Sequence, residues 1–168
     1  YFADDGFLIE IHKGFSNKQT VANIGALKRL QDALAAKGIS LRVMLVPTAG
    51  DILSDKLPTY APNADQQAVI AYAKKQGLNI VDVTEALSEH KSEYIFYKTD
   101  HHWTSLGAYY AYAAWMLDKG ITPDPLSAWR TERFCDNFRG TTYAKVNYPF
   151  AEYDIIEAYY KTENHKVD

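Results

Sequence analysis

The sequence predicts an α/β fold, with a parallel sheet between helices and an antiparallel hairpin appended after it. Three observations predict this. Short apolar runs of strand length alternate with segments of helical periodicity as far as Gly120. The run Leu41–Val46 is nearly continuous in apolar residues, as in a strand covered on both faces of a parallel sheet. After Pro125 the texture changes to aromatics, Thr and Arg with turn signals at Asp136-Asn137 and Arg139-Gly140, which suits antiparallel strands.

The elements follow in order. Gly6–Ile11 reads as a first strand. Thr20–Lys37 reads as a helix, with Ile24, Leu27, Leu30 and Leu34 at helical spacing and Gly38 as its stop. Leu41–Val46 is the second strand, ended by Pro47, and residues 48–62 form a loop at its carboxyl end. Ala64–Gln76 is the second helix, with Asn63 as N-cap and Gly77 as stop. Leu78–Val83 is the third strand, Thr84–Glu89 one or two helical turns, and Tyr94–Tyr97 a short aromatic strand. Ser105–Leu117 is a long helix capped by Thr104, with Leu106, Tyr109/Tyr110, Ala113 and Met116/Leu117 as its apolar face and Gly120 at its end. Right-handed crossovers put the loops that follow the strands on one sheet edge, where such folds bind ligands. The loops Thr48–Asp55 and Asp100–Trp103, and the region after Val83, fall on that edge.

Composition narrows the function. The chain has 168 residues, 47% of them hydrophobic, and a formal net charge of −3. That suits one domain with its own core, residues 1–168, and the absence of a basic stripe argues against a nucleic-acid partner. One cysteine, Cys135, excludes an internal disulfide and a multi-cysteine metal site. Tyrosine is frequent, with 13 residues, and serves core and domain edges more often than a sugar-binding surface. No basic segment followed by an apolar leader is present, and no apolar run is long enough to span a bilayer. The chain opens on Tyr1-Phe2 without an initiator Met, which reads as a processed or excised piece of something longer.

The chemistry concentrates in Lys98-Thr99-Asp100-His101-His102-Trp103-Thr104-Ser105. In an extended loop, residues two apart point the same way, so Asp100 and His102 can meet. Asp100 would accept from one ring nitrogen of His102 and leave the other free to take a proton, the base-and-orienter half of a Ser–His–Asp triad. Trp103 would wall the pocket or a sugar ring. A plainer reading makes Asp100 a turn cap and the imidazoles incidental. A third reading is metal binding, since adjacent imidazoles and a carboxylate suit zinc or manganese. That site needs further aspartates, and Asp51, Asp55 and Asp82 stand alone, so no metal or other cofactor is expected.

Thr99-Asp100-His101-His102-Trp103-Thr104-Ser105-Leu106-Gly107-Ala108 resembles the signature of the DHHW proteins. It is also similar to the Asp-Thr-His-Trp-Thr segment of the alginate O-acetyltransferase-like proteins. Asp5-Gly6-Phe7-Leu8, the Val43–Pro47 strand, the Gly77–Asp82 strand and Phe138-Arg139-Gly140-Thr141 fall in the order expected of DHHW proteins. The resemblance implies an SGNH hydrolase-like fold, circularly permuted and incomplete at its carboxyl end. It implies Asp100 as the triad aspartate and His102 as the base. His101 stands where the acetyltransferase-like segment has Thr, so it and Trp103 are assigned to substrate binding. The activity implied is transfer or removal of an acetyl group on a cell-surface polysaccharide, at the cell envelope or outside it, with a membrane-bound acyl-donor protein as a partner. A noncatalytic glycan-binding or assembly module on the same fold is the alternative.

None of Ser16, Ser40, Ser54, Ser88, Ser92, Ser105 or Ser127 lies in a nucleophile-like context, and Gly50-Asp51-Ile52 has Ile where Ser would be needed. The resemblance implies a nucleophile later in the chain, in a Gly-Asp-Ser or Asp-Ser-Tyr type segment, which would lie beyond Asp168. The 168 residues are expected to be the amino-terminal part of a longer protein and to have little activity by themselves. Gly140 and Asn137, and Thr48 and Tyr60, are polar-loop residues near enough in the pattern to serve an oxyanion, but turn chemistry explains them equally well.

Overall fold

The computed structural model describes residues 1–12 and 17–161. Helix α1 (Asn17–Ala35) leads to strand β1 (Val43–Met44), then α2 (Ala49–Ile52), α3 (Gln66–Lys75), strand β2 (Ile80–Val81), α4 (Thr84–Glu89) and α5 (Ser105–Asp118). Strand β3 (Trp129–Phe138), α6 (Thr141–Val146) and strand β4 (Asp154–Lys161) complete the order. β1 and β2 pair in parallel, Val43 opposite Ile80 and Met44 opposite Val81. β3 and β4 pair antiparallel with register shifts between Arg133 and Cys135 and between Cys135 and Phe138. The α/β architecture with an appended hairpin is thus the one the sequence predicts. No helix among the described residues is long and apolar enough to cross a membrane.

The predicted strands are present as paths but shorter as strands. Leu41–Val46 and Leu78–Val83 each contract to two paired residues, because each finds one strand partner. Leu41–Leu45 is half-buried and Val46 exposed, so this run is not covered on both faces. Phe7, Leu8 and Ile9 are buried as expected of a first strand, yet Leu8 makes a single bridge, to Phe2. Asp4–Gly6 is instead a 3-10 turn that folds the terminus back, so that the Tyr1 ammonium donates to the Ile9 carbonyl at 2.7 Å. Leu8 N–H donates to the Lys98 carbonyl at 2.7 Å, which ties this segment to the base of the His-rich loop.

Side-chain capping corrects two assignments. α3 is capped by Asp65, which accepts from Ala68 N–H, not by Asn63. Asn63 donates to the Gly50 carbonyl at 2.8 Å, and Gln66 bridges the Val46 carbonyl and Thr48 N–H. Together they pin the chain where it leaves β1. That segment, read as loop, contains the turn α2 with Thr48 as its cap. On α1 the stripe is offset. Ile24 is buried, Leu30 is 49% exposed, and Gln31 takes a buried place by bonding the Gly77 carbonyl and Asn79 N–H.

The main core joins Phe7, Ile9, Ile52, Leu53, Val81, Val83, Leu87, Ile95, Phe96 and Ala111. α5 presents Leu106, Tyr110, Ala114 and Trp115 to it, while Leu117 is exposed and Tyr109 faces Trp129 of the hairpin. The predicted face was centred too far round the helix, because the hairpin packs on the flank that periodicity assigned to the core. Thr104 caps α5 as expected, accepting from Gly107 N–H and donating to the Tyr94 carbonyl.

Gly107 allows α5 to lie against the 94–97 segment. A Cβ there would stand 2.3 Å from the Ile95 carbonyl oxygen. Gly107→Ala should therefore lower stability by about 1–3 kcal/mol in a denaturant unfolding titration. Gly25→Ala, on a helix face where the added Cβ meets nothing nearer than 3.6 Å, should raise it by about 0.5–1 kcal/mol. Equal effects would disprove the packing argument.

Candidate active site

The His-rich run is the tip of a tight hairpin. Phe96 and Trp103 form an antiparallel bridge, Tyr97 N–H donates to the His102 carbonyl, and Thr104 N–H to the Ile95 carbonyl. Residues 98–102 are left to turn outside the bridge. Within that turn Asp100 Oδ1 accepts from His102 N–H at 2.9 Å and meets His102 Nδ1 at 2.5 Å. The two side chains predicted to meet do so. The Asp100 side chain is 5% exposed and that of His102 is 65% exposed.

The second carboxylate oxygen is held from the hairpin. Asp100 Oδ2 accepts from Thr141 N–H at 2.7 Å and from Thr141 Oγ1 at 2.9 Å. Burial alone would push the Asp100 carboxyl up. The backbone N–H groups of Thr141 and His102 and the side chains of both outweigh it, and hold the carboxyl well below the usual carboxylate range. Asp100 is thus a fixed, ionised acceptor, and its partner nitrogen on His102 is the N–H one. In a neutral imidazole, that leaves Nε2 of His102 as the acceptor nitrogen.

Gly140 explains how Thr141 reaches this position. A Cβ on Gly140 would lie 2.3 Å from Asp100 Cβ and 2.4 Å from its Oδ2. Only a residue without a side chain lets α6 start this close to the carboxylate. Beneath the loop, the fully buried Asp154 at the start of β4 accepts from Lys98 N–H at 2.7 Å, Thr99 N–H at 2.8 Å and Thr99 Oγ1 at 2.5 Å, and from the Tyr94 hydroxyl. Burial and the neighbouring Asp154 push the Tyr94 hydroxyl above the usual phenol range, so it stays a neutral donor.

His101 turns the other way. Its Nδ1 is 2.8 Å from Thr141 Oγ1, and its ring lies 3.9 Å from that of His102 at 37°. With Leu8, Ile9, Glu10, His12, Thr48 and Gly50 it lines a cleft of about 100 Å3, so the loop after β1 and the His-rich loop share one sheet edge. Trp103 is half-buried and packs against the core. Of the other loop residues, Asn137 accepts from the Cys135 thiol, Tyr60 is 97% exposed, and Thr48 lines the cleft. Asp100, His101 and His102 bring three metal-capable atoms within 4.8 Å of one another. Four hydrogen bonds already fill the Asp100 acceptor positions, and Asp55 and Asp82 are committed to Lys91 and Lys74.

Thr141 and Asp154 escape sequence reasoning, since neither stands near the His-rich run. The only signal for Thr141 is its place in Phe138-Arg139-Gly140-Thr141; Asp154 has none.

The sequence profile described as "ALGX: SGNH hydrolase-like domain, acetyltransferase AlgX" matches residues 2–128. The chain belongs to this family. Alginate biosynthesis protein AlgX of Pseudomonas aeruginosa is 33% identical over 90 residues, 49% of this chain and 19% of its own length. A DHHW family protein from Eubacterium siraeum superposes with a TM-score of 0.69 at 31% identity, over 84% of this chain and 48% of its own. The O-acetyltransferase domain of Pseudomonas putida AlgJ shares the fold, with a TM-score of 0.70 at 17% identity over 96% of this chain and 65% of its own. The chain thus spans about half of the DHHW protein, and its 90 aligned residues a fifth of AlgX. The SGNH hydrolase-like fold and the DHHW resemblance are as expected.

The lowered Asp100 carboxyl links folding to pH. This group adds stability above the ordinary aspartate value of 3.8 and loses it as the pH falls from there toward the native value. Asp100→Asn should be less stable than wild type at neutral pH, with the gap narrowing below pH 3.8 in acid unfolding titrations. A gap independent of pH would refute this. Gly140→Ala should displace the carboxylate and cost about 1–3 kcal/mol of unfolding free energy, read in urea.

Proposed function

We propose that this chain carries the acid–base half of an SGNH-type O-acetyltransferase or esterase acting on a cell-surface polysaccharide, with Asp100 as orienter and His102 as general base. One observation carries the proposal: a buried, ionised Asp100 lies 2.5 Å from Nδ1 of an exposed His102. Membership of the AlgX family and the likeness to an O-acetyltransferase domain support the acyl-transfer reading. The nucleophile in this reading is a serine beyond Asp168, residues 1–168 being the amino-terminal part of a longer protein. The 48% coverage of the DHHW protein accords with that, and Ser105, the serine next to the motif, donates its hydroxyl to the Glu157 carbonyl.

The steps follow from the proton inventory. Nε2 of His102 takes the serine proton as the serine oxygen bonds to the acyl carbon. The tetrahedral adduct collapses by breaking the bond to the donor oxygen, which receives that proton. The acyl-serine is then attacked by an acceptor hydroxyl, from a saccharide in transfer or from water in hydrolysis. The acceptor oxygen bonds to the acyl carbon, the acyl–serine bond breaks, and the acceptor proton passes through Nε2 back to the serine oxygen. Asp100 stays ionised and stabilises the imidazolium formed in each half-reaction. We place this reaction in the cell envelope, with a membrane-bound protein as acyl donor. A glycan-binding module on the same fold calls for a buried His102 and an exposed Trp103; here His102 is the exposed ring and Trp103 packs on the core.

The test uses the longer protein that carries this chain, with an acetyl ester as substrate. His102→Ala and Asp100→Ala should each lower kcat/KM by at least ~1,000-fold, while residues 1–168 alone stay near the uncatalysed rate. Unchanged activity in His102→Ala would overturn the assignment.

A further inference from the structure

Nδ1 of His101 faces the Thr141 hydroxyl at 2.8 Å, with Glu10 Oε1 at 3.7 Å and Asp100 Oδ1 at 3.8 Å. The Thr141 hydroxyl oxygen also lies 2.9 Å from Asp100 Oδ2. A threonine hydroxyl has one proton to donate and lone pairs with which to accept. Asp100 can only accept, because its four hydrogen bonds keep it ionised. The Thr141 proton therefore points at Asp100. Turned toward His101, it would leave a hydroxyl oxygen facing a carboxylate oxygen at 2.9 Å with no proton between them. With that proton committed, the 2.8 Å contact to His101 needs an N–H on Nδ1.

We infer that Thr141 is a positioning residue that holds His101 in its Nδ1–H form, so that His101 Nε2 is a hydrogen-bond acceptor beside His102 and the site takes the hydroxyl of a saccharide or polyol there. The surroundings fit a donor of that kind. His101 is 43% exposed and lines the cleft with Glu10, His12 and Thr48. Glu10 Oε1 stands 3.7 Å from His101 Nδ1 and is paired with Lys145 at 2.5 Å. With Asp100 and Glu10 already hydrogen-bonded, the His101 ring is the group of this wall left to accept from a ligand hydroxyl. The place beside His102 matters only if His102 is the base, so the functional clause rests on the proposed reaction. The tautomer does not.

Long-range 1H–15N spectra of the 15N-labelled 168-residue protein distinguish protonated from unprotonated ring nitrogens. They are recorded above the ordinary imidazole value of about 6.5. In wild type, His101 and His102 should both show a protonated Nδ1 and a bare Nε2. Thr141→Val keeps the backbone N–H to Asp100 and removes the hydroxyl. It should turn His101 into a mixture of tautomers and leave His102 unchanged, and Thr141→Ser should restore His101. A proton on His101 Nε2 in wild type, or an unaltered His101 in Thr141→Val, would overturn the inference. A His102 without the Nδ1 proton would instead count against the base assignment and leave the His101 result standing. Added glycerol should shift His101 Nε2, and more in wild type than in Thr141→Val. Acetate giving the larger shift, or neither additive moving it, would overturn the hydroxyl preference.

Discussion

The Asp154 carboxylate is the interaction on which the rest depends. It is fully buried and takes four hydrogen bonds from residues 94–99: the Tyr94 hydroxyl, the N–H groups of Lys98 and Thr99, and the Thr99 hydroxyl. A carboxyl group buried in that position is tolerable only when its acceptor sites are filled. The demand runs both ways. The carboxylate needs the turn in one conformation, and the turn needs the carboxylate to satisfy N–H groups that no strand partner reaches. Thr99 then extends the network by accepting from Gly140 N–H, while its carbonyl accepts from Tyr143 N–H. One buried acid thereby couples the His-rich loop to the start of β4 and to the hairpin segment before it.

Asp100 is anchored on top of this platform from two directions. The His102 contacts are local, between residues two apart, and would form in many turns. The Thr141 contacts span 41 residues and give the carboxylate a single orientation. Gly140 sets how close that second anchor comes. The opposite side of the loop is held by the Phe96–Trp103 bridge and by the first turn of α5, which Gly107 and Thr104 press against the 94–97 segment. The His102 ring is therefore presented by a frame in which backbone and carboxylate are both constrained, and the two imidazoles are the exposed parts of the site. Such pre-organisation is what general-base chemistry asks of its scaffold.

Much of this frame is legible in the residues themselves. Thr104 as the cap, α4 over Thr84–Glu89 and the Asp100–His102 contact depend on neighbours within a few positions. The departures occur where a residue has a distant partner. Leu30 is at core spacing but Gln31 is buried, because Gln31 finds the Gly77 carbonyl and Asn79 N–H across the fold. Asn63 looks like a cap and instead bonds Gly50. Gly6–Ile11 has the apolar pattern of a strand, but the backbone groups of Leu8 and Ile9 go to Tyr1 and Lys98, so Phe7, Leu8 and Ile9 are buried without a ladder.

The sequence by itself determined the α/β class, the helices α1, α3, α4 and α5 and the pairing of Asp100 with His102, because each rests on periodicity, capping or a two-residue spacing. Tertiary structure alone decided the strand lengths, the buried face of α5, the role of Asp154 and the second grip of Thr141 on Asp100. Those depend on which backbone groups lack a nearby partner and on which segments approach closely enough to supply one, and hydrogen-bond demand of that kind is met across the fold.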